Sequence, residues 1–189
     1  MIIKLGISKK IRTLNAIFNL FKFWLRIHLF GFNVANNFIQ FVDKESLYII
    51  LKRYGASIGE NCDIETGITF HNCENYQNLT IGDNCHIGKN CFFDLRDEIN
   101  IGSNVTISMQ CTFITHQDLG NSSIASFYSK SQSSIFIGND VYVGAGVIIL
   151  QGISINKEVV IAAGSIVNHN AKERTIVGGV PAKFIKEIF

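Results

Sequence analysis

The sequence predicts a mainly β chain: a parallel β-helix of about five coils, with an α-helical segment at its N-terminus and a short C-terminal helix. Three observations predict it. Large apolar residues recur at every sixth place, in three registers: Ile58, Ile64, Phe70; then Ile81, Ile87, Phe93, Ile99, slipping to Ile101, Ile107, Phe113; then Ile137, Val143, Ile149, Ile155, Ile161, Val167. A small residue stands two places before most of them, as in Cys85, Cys91, Val105, Cys111, Val141, Val147 and Ser165. Glycine follows the apolar residue in Ile58-Gly59, Ile81-Gly82, Ile87-Gly88, Ile101-Gly102, Ile137-Gly138 and Val143-Gly144.

A period of six is neither the 3.6 of a helix nor the simple alternation of a long strand. It fits a short strand plus a turn, repeated. Three such units close a triangular coil of about 18 residues, and stacked coils bury a continuous apolar column. The inserted glycines suit a chain that must turn tightly. Asn61, Asn84, Asn90 and Asn104 each precede a small-residue position, where a corner needs the left-handed backbone that asparagine tolerates. Of five cysteines, Cys62, Cys85, Cys91 and Cys111 fall on the small position, which predicts buried, unpaired thiols acting as small hydrophobes. Cys73 lies off the register. No C-x-x-C pair occurs, so neither a zinc knuckle nor a dithiol redox motif is expected.

The repeat is interrupted twice. Residues 71–80 read as a short excursion. Residues 117–134, Ser-rich with Phe127 and Tyr128, must leave the column as an extruded loop, and such loops often serve binding. The coils are expected over 56–180. Pro181 is welcome in a first helical turn, which predicts a helix over 181–189.

Residues 1–55 lie outside the repeat. Ile11, Leu14, Ile17, Phe18, Phe21 and Leu25 follow helical spacing, and a second helix is expected from Ser46 to Tyr54, ending near Gly55. This segment holds nine Lys/Arg and two acids; the remainder holds eight and thirteen. A basic N-terminal piece on an acidic body is not the charge pattern of a nucleic-acid binder. Residues 1–30, basic and apolar, are expected either to cap the open end of the coils or to touch an anionic membrane as a peripheral helix. No transmembrane span is expected, because Asn33, Asn36, Asn37 and Gln40 interrupt the longest uncharged stretch. With no small-residue cleavage site after the early apolar stretch, the expected location is cytoplasmic, with peripheral contact at the inner membrane face as the alternative.

The run Ile-Gly-Asn-Asp-Val-Tyr-Val-Gly from Ile137, then Ala-Ala-Gly-Ser-Ile-Val from Ala162, then Gly-Gly-Val-Pro-Ala-Lys from Gly178 to Lys183, resembles the hexapeptide-repeat acyltransferases. The nearest in pattern are the maltose, galactoside and surface-polysaccharide O-acetyltransferases. The resemblance spans about residues 58–188 and implies a left-handed β-helix, a homotrimer with active sites between subunits, and acetyl-CoA as donor with no metal. It implies that His116, in Phe-Ile-Thr-His before the extruded loop, is the catalytic base. An imidazole suits that task, since a sugar hydroxyl must lose its proton as it attacks a thioester. It further implies acceptor contact by Asp94, with Asp118 either touching the acceptor or orienting the imidazole. The coenzyme groove would comprise Tyr142, Ala145, Ala163, Gly164, His169 and Lys183.

The expected activity is therefore acetyl-CoA-dependent O-acetylation of a sugar or polysaccharide precursor. The alternatives are N-acetylation of an amino sugar or nucleotide sugar, and a non-catalytic trimeric scaffold. Zinc chemistry on this architecture needs three histidines around one open site. Here no histidine follows His116 until His169, which argues against it.

Overall fold

The computed structural model describes residues 2–189, with side chains from residue 10 onward. Met1 and the side chains of Lys4 and Lys9, part of the basic segment, lie outside the described residues. The chain winds into a triangular prism. Its first face stacks β1 (Ser57–Ile58), β4 (Leu79–Ile81), β7 (Ile99–Ile101), β12 (Ile135–Ile137) and β15 (Ser154–Ile155). The second stacks β2 (Asp63–Ile64), β5 (His86–Ile87), β8 (Thr106–Ile107), β13 (Tyr142–Val143), β16 (Val160–Ile161) and β18 (Thr175–Gly178). The third stacks β3 (Thr69–His71), β6 (Phe92–Asp94), β9 (Thr112–Phe113), β14 (Ile148–Ile149) and β17 (Ile166–Val167). All pairings between coils are parallel and in register, as in Ile81 beside Ile101 and Ile107 beside Val143. Five coils are complete; Ala171, bridged to Ile155, and β18 begin a sixth.

The sixfold residues fill the column. Ile87, Ile101, Ile107, Phe113, Ile137, Val143, Ile149, Ile155 and Ile161 are all buried. Phe70, Phe93 and Phe113 stack across three coils with ring centroids 5.5 and 4.7 Å apart. Cys85, Cys91 and Cys111 are buried and free, whereas Cys62, in the first coil, is free but only half-buried. Each corner asparagine has the expected left-handed backbone, with φ of 55° at Asn61 and Asn84, 57° at Asn90 and 60° at Asn104. Asn61, Asn84, Asn104 and Asp140 also bond side chain to side chain along one edge, at 3.3, 3.3 and 3.0 Å.

The glycines after the sixfold residues serve a different purpose from the tight turning their sequence suggests. At Gly144 an added Cβ would lie 2.5 Å from the Ala163 amide nitrogen, and at Gly88 2.6 Å from the Met109 nitrogen. Stacked coils approach so closely there that no side chain fits.

At the N-terminus, α1 (Ile2–Phe30), α2 (Phe32–Phe38) and α3 (Lys44–Arg53) cover the open end of the first coil. The Asp43 side chain caps α3 by accepting from the Ser46 amide at 3.1 Å. Phe23, Ala35, Ile39, Leu47, Ile50 and Leu51 merge with Ile58 and Phe70 in one core. The 71–80 excursion completes the seal: buried Tyr76 donates its hydroxyl to Asn36 at 3.0 Å, and Asn36 donates to the Phe70 carbonyl at 2.7 Å. Helix α1 packs chiefly on α2 and α3, and α3 in turn on β2. Yet the spaced stripe of α1 does not face the core. Ala16, Asn19 and Phe23 face inward, while Ile11, Leu14, Ile17, Phe18, Phe21 and Leu25 stay exposed.

The expected C-terminal helix is absent. Residues Lys183–Glu187 form β19, antiparallel to β18. The physical reason is the open edge of β18, the last strand of its face. Its backbone groups need partners, and an extended tail supplies them where a helix could not.

Candidate active site

His116 follows β9 at the edge between the third and first faces, where the chain departs into the extruded loop. The loop stem is a short antiparallel pair, β10 (His116–Gln117) and β11 (Ser131–Gln132), with His116 opposite Gln132. The imidazole is fixed by its neighbour one coil below. Its Nδ1 lies 2.5 Å from Oδ2 of Asp94. With Nδ1 donating to a carboxylate, the tautomer is set and Nε2 is left as the proton acceptor.

Asp94 is 1% exposed. Its carboxylate also accepts from the Thr115 amide and hydroxyl, both at 3.0 Å, and from the Asn72 side-chain amide at 2.8 Å. Burial pushes this carboxyl up, but the bonds from His116, Asn72 and Thr115 outweigh it and hold the group below the ordinary carboxylate range. The β3–β6 and β6–β9 stacking produces this arrangement: His71 lies beside Asp94 in register, and Asn72 is the next residue on that corner.

The Asp94 oxygens accept from protein donors, His116 among them, which places the carboxylate to orient the imidazole. Asp118, expected either to touch the acceptor or to orient the imidazole, makes its bonds to groups other than His116. It pairs with Lys130 at 2.9 Å and Arg96 at 3.7 Å at the rim of the site, and the Lys130 ammonium holds its carboxyl below the usual range. Asn72 and Thr115 were missed in the sequence. Thr115 adjoins the histidine and could have been suspected; the 71–80 excursion breaks the sixfold count that would have aligned Asn72 with Asp94.

The coenzyme candidates fall into two groups. Tyr142, Ala145, Ala163 and Gly164 occupy the edge between the second and third faces, in the fourth and fifth coils. Tyr142 is half exposed and accepts a bond from the Ser108 hydroxyl at 3.2 Å. The Gly164 amide donates to the Ala145 carbonyl at 2.8 Å, so it is not available to a ligand. The Ala145 and Ala163 amides donate to no group among the described residues. Two stacked corners with small side chains and open N–H groups fit an extended chain carrying amide carbonyls, as the pantetheine arm does. His169 follows β17 on the same edge as His116, two coils further on. It lines, with Lys183, Lys172 and Phe184, a cavity at the C-terminal end of the prism. Both cations suit phosphate at that end.

Within one chain, therefore, His116 and the Ala145–Ala163 corners sit on different edges, separated by the whole third face. Among the described residues no group of three or more His, Cys, Asp or Glu is placed to hold a metal ion.

Comparison with known proteins gives a consistent picture. Residues 78–110 and 134–169 match the family described as hexapeptide repeat of succinyl-transferase. The chain is 32% identical over 151 residues to galactoside O-acetyltransferase of Escherichia coli (strain K12), covering 74% of this chain and 67% of that protein. It is 29% identical over 168 residues to dTDP-4-amino-4,6-dideoxy-D-glucose acyltransferase of Escherichia coli, covering 74% and 86%. Among solved structures, a maltose O-acetyltransferase from Clostridium difficile 630 superposes with a TM-score of 0.71 at 27% identity, over 82% of each chain. The stacked coils, the extruded loop and its histidine, and these likenesses together establish that the chain belongs to the hexapeptide-repeat acyltransferases.

Proposed function

We propose that the protein is an acetyl-CoA-dependent O-acetyltransferase acting on a sugar or polysaccharide-precursor hydroxyl. The observation that carries this reading is the pairing of buried Asp94 with half-buried His116 at the root of the extruded loop. Nε2 of His116 removes the proton as the acceptor oxygen attacks the thioester carbonyl. Asp94 stabilises the imidazolium so formed. When the tetrahedral adduct collapses, the same nitrogen returns the proton to the departing sulfur. Acetyl-CoA supplies the activated acyl group; the Ala145 and Ala163 amides would hold its arm, and Tyr142, His169 and Lys183 would flank it.

The separation of His116 from the Ala145–Ala163 corners supports a homotrimer. A cyclic arrangement sets one edge of each chain against a different edge of its neighbour, so each site draws its base from one subunit and its coenzyme corners from the next. We place the protein in the cytoplasm, which fits five cysteines whose spacing suggests no disulfide framework. Arg96, Asp118 and Lys130 rim the acceptor side and would bond to hydroxyl or charged substituents of the sugar. A second reading, N-acetylation of a nucleotide-linked amino sugar, is favoured by the match to the dTDP-amino-sugar acyltransferase over 86% of that protein's length.

The test is a screen of acetyl-CoA consumption, corrected for hydrolysis, against sugars, amino sugars and nucleotide sugars. Acceptor-dependent turnover on hydroxyl sugars supports the first reading. Turnover only on amino sugars selects the second. No acceptor-dependent turnover on any panel member opposes both.

A further inference from the structure

We propose that the outward face of α1 docks on an anionic lipid surface, with the helix lying in the interface and the prism projecting from it. This goes beyond the catalytic reading and does not depend on it. The cap uses one side of α1, through Ala16, Asn19 and Phe23, with Leu20 and Ile27 partly buried beside them. The opposite side presents Ile11, Leu14, Ile17, Phe18, Phe21 and Leu29, each more than half exposed. From Ile11 to Leu29 this apolar face runs about 28 Å along the helix. Scattered exposed hydrophobics are ordinary, but a continuous helical face of this length marks a binding surface.

The charges say what covers it. Helix α1 contains no acidic residue. Lys22 and Arg26 flank the apolar face, and Lys10 lies within it. A second copy of the same helix would set Lys22 and Arg26 against cations of its own kind, with no carboxylate in either helix to offset them. Anionic headgroups remove that conflict, and the exposed rings suit the boundary between headgroups and acyl chains. Phe21 and Trp24 stack at 5.7 Å, and the Lys22 ammonium sits 4.2 Å over the Phe18 ring.

A second feature points the same way. An apolar groove runs between α1 and the end of α3, lined by Ile17, Leu20, Phe21, Trp24 and Ile27, with His28, Arg53 and Tyr54 at its rim. Apolar walls with a guanidinium at the mouth fit an acyl chain beneath an anionic headgroup. Among the described residues no helix is long and apolar enough to cross a membrane, so the proposed contact is with the surface.

The experiment is flotation of the full chain with vesicles of phosphatidylcholine alone, or containing phosphatidylglycerol, at low and high salt. The expected result is flotation with the anionic vesicles at low salt, reduced on the order of tenfold at high salt or without phosphatidylglycerol. The double variant Leu14→Asp, Phe21→Asp should float at least about tenfold less while its melting temperature stays at the wild-type value, because both side chains point away from the cap. Absence of flotation of the wild type with anionic vesicles at low salt overturns the proposal. So does undiminished flotation of the variant. Sedimentation of both proteins without lipid covers the remaining occupant: a smaller assembly for the variant, with no flotation of the wild type, would assign the face to a second copy instead.

Discussion

Replacing Asp94 by Asn tests the site with almost no change in shape. In the native protein the carboxylate takes donors from Thr115, Asn72 and His116. An asparagine can keep its carbonyl oxygen toward the Thr115 amide and His116 Nδ1. Its NH2 then meets the Asn72 amide, which must turn over to offer its own oxygen. The cost to folding is the loss of charge in these bonds, about 1–3 kcal/mol. The cost to catalysis is larger. A neutral amide does not offset the imidazolium, and it can present its NH2 to Nδ1, which fixes the wrong tautomer. A fall in kcat of about 10²–10⁴-fold is expected, roughly 3–5 kcal/mol of transition-state stabilisation. Coenzyme affinity should stay near wild type, since Asp94 touches none of the proposed coenzyme corners. The assay is steady-state acetyl transfer with a direct binding measurement beside it. Near-wild-type kcat in a folded Asp94→Asn protein would refute the orienting role.

Three other outcomes follow from the same structure. Because the Asp94 carboxyl is held below its usual range, its contribution to stability is present above the unfolded carboxylate value of about 4 and is lost as pH falls through the lower folded value. The gap in melting temperature between wild type and Asp94→Asn should therefore narrow on acidification, and a gap that widens would contradict it. Phe93→Ala removes the middle ring of the Phe70–Phe93–Phe113 stack and should destabilise by about 3–5 kcal/mol in denaturant titration. Finally, His116→Ala and Ala163→Arg, each inactive alone, should regain activity when co-assembled. Random mixing leaves about one quarter of inter-subunit sites with an intact histidine edge and an intact corner. Mixed assemblies with no activity would place the whole site within one subunit.

The repeat was legible because it is a packing rule written along the chain. Every large residue at a sixfold place faces the same column, so its period reports directly on burial. His116 was legible for a related reason: the rhythm stops just after it, and an extruded loop marks an edge. What the sequence hid depends on stacking between coils. Asn72, Asp94 and His116 converge because they share one corner of successive coils, and the excursion after His71 breaks the count that would have revealed it. The tail misled because Pro181 signals a possible helix start, whereas the unpaired edge of β18 decides the outcome from outside the local sequence. The stripe on α1 is legible in its spacing, but its direction is not. Which side of an amphipathic helix faces the core depends on where Phe23 and Ala16 find room, and spacing alone does not give that.

The most direct test of the central claim is acetyl transfer by His116→Ala, measured together with coenzyme affinity. The account predicts a fall in turnover of at least about a hundredfold, because the acceptor proton then has no base to receive it, with acetyl-CoA binding near the wild-type value. Turnover close to wild type in the folded variant would contradict it.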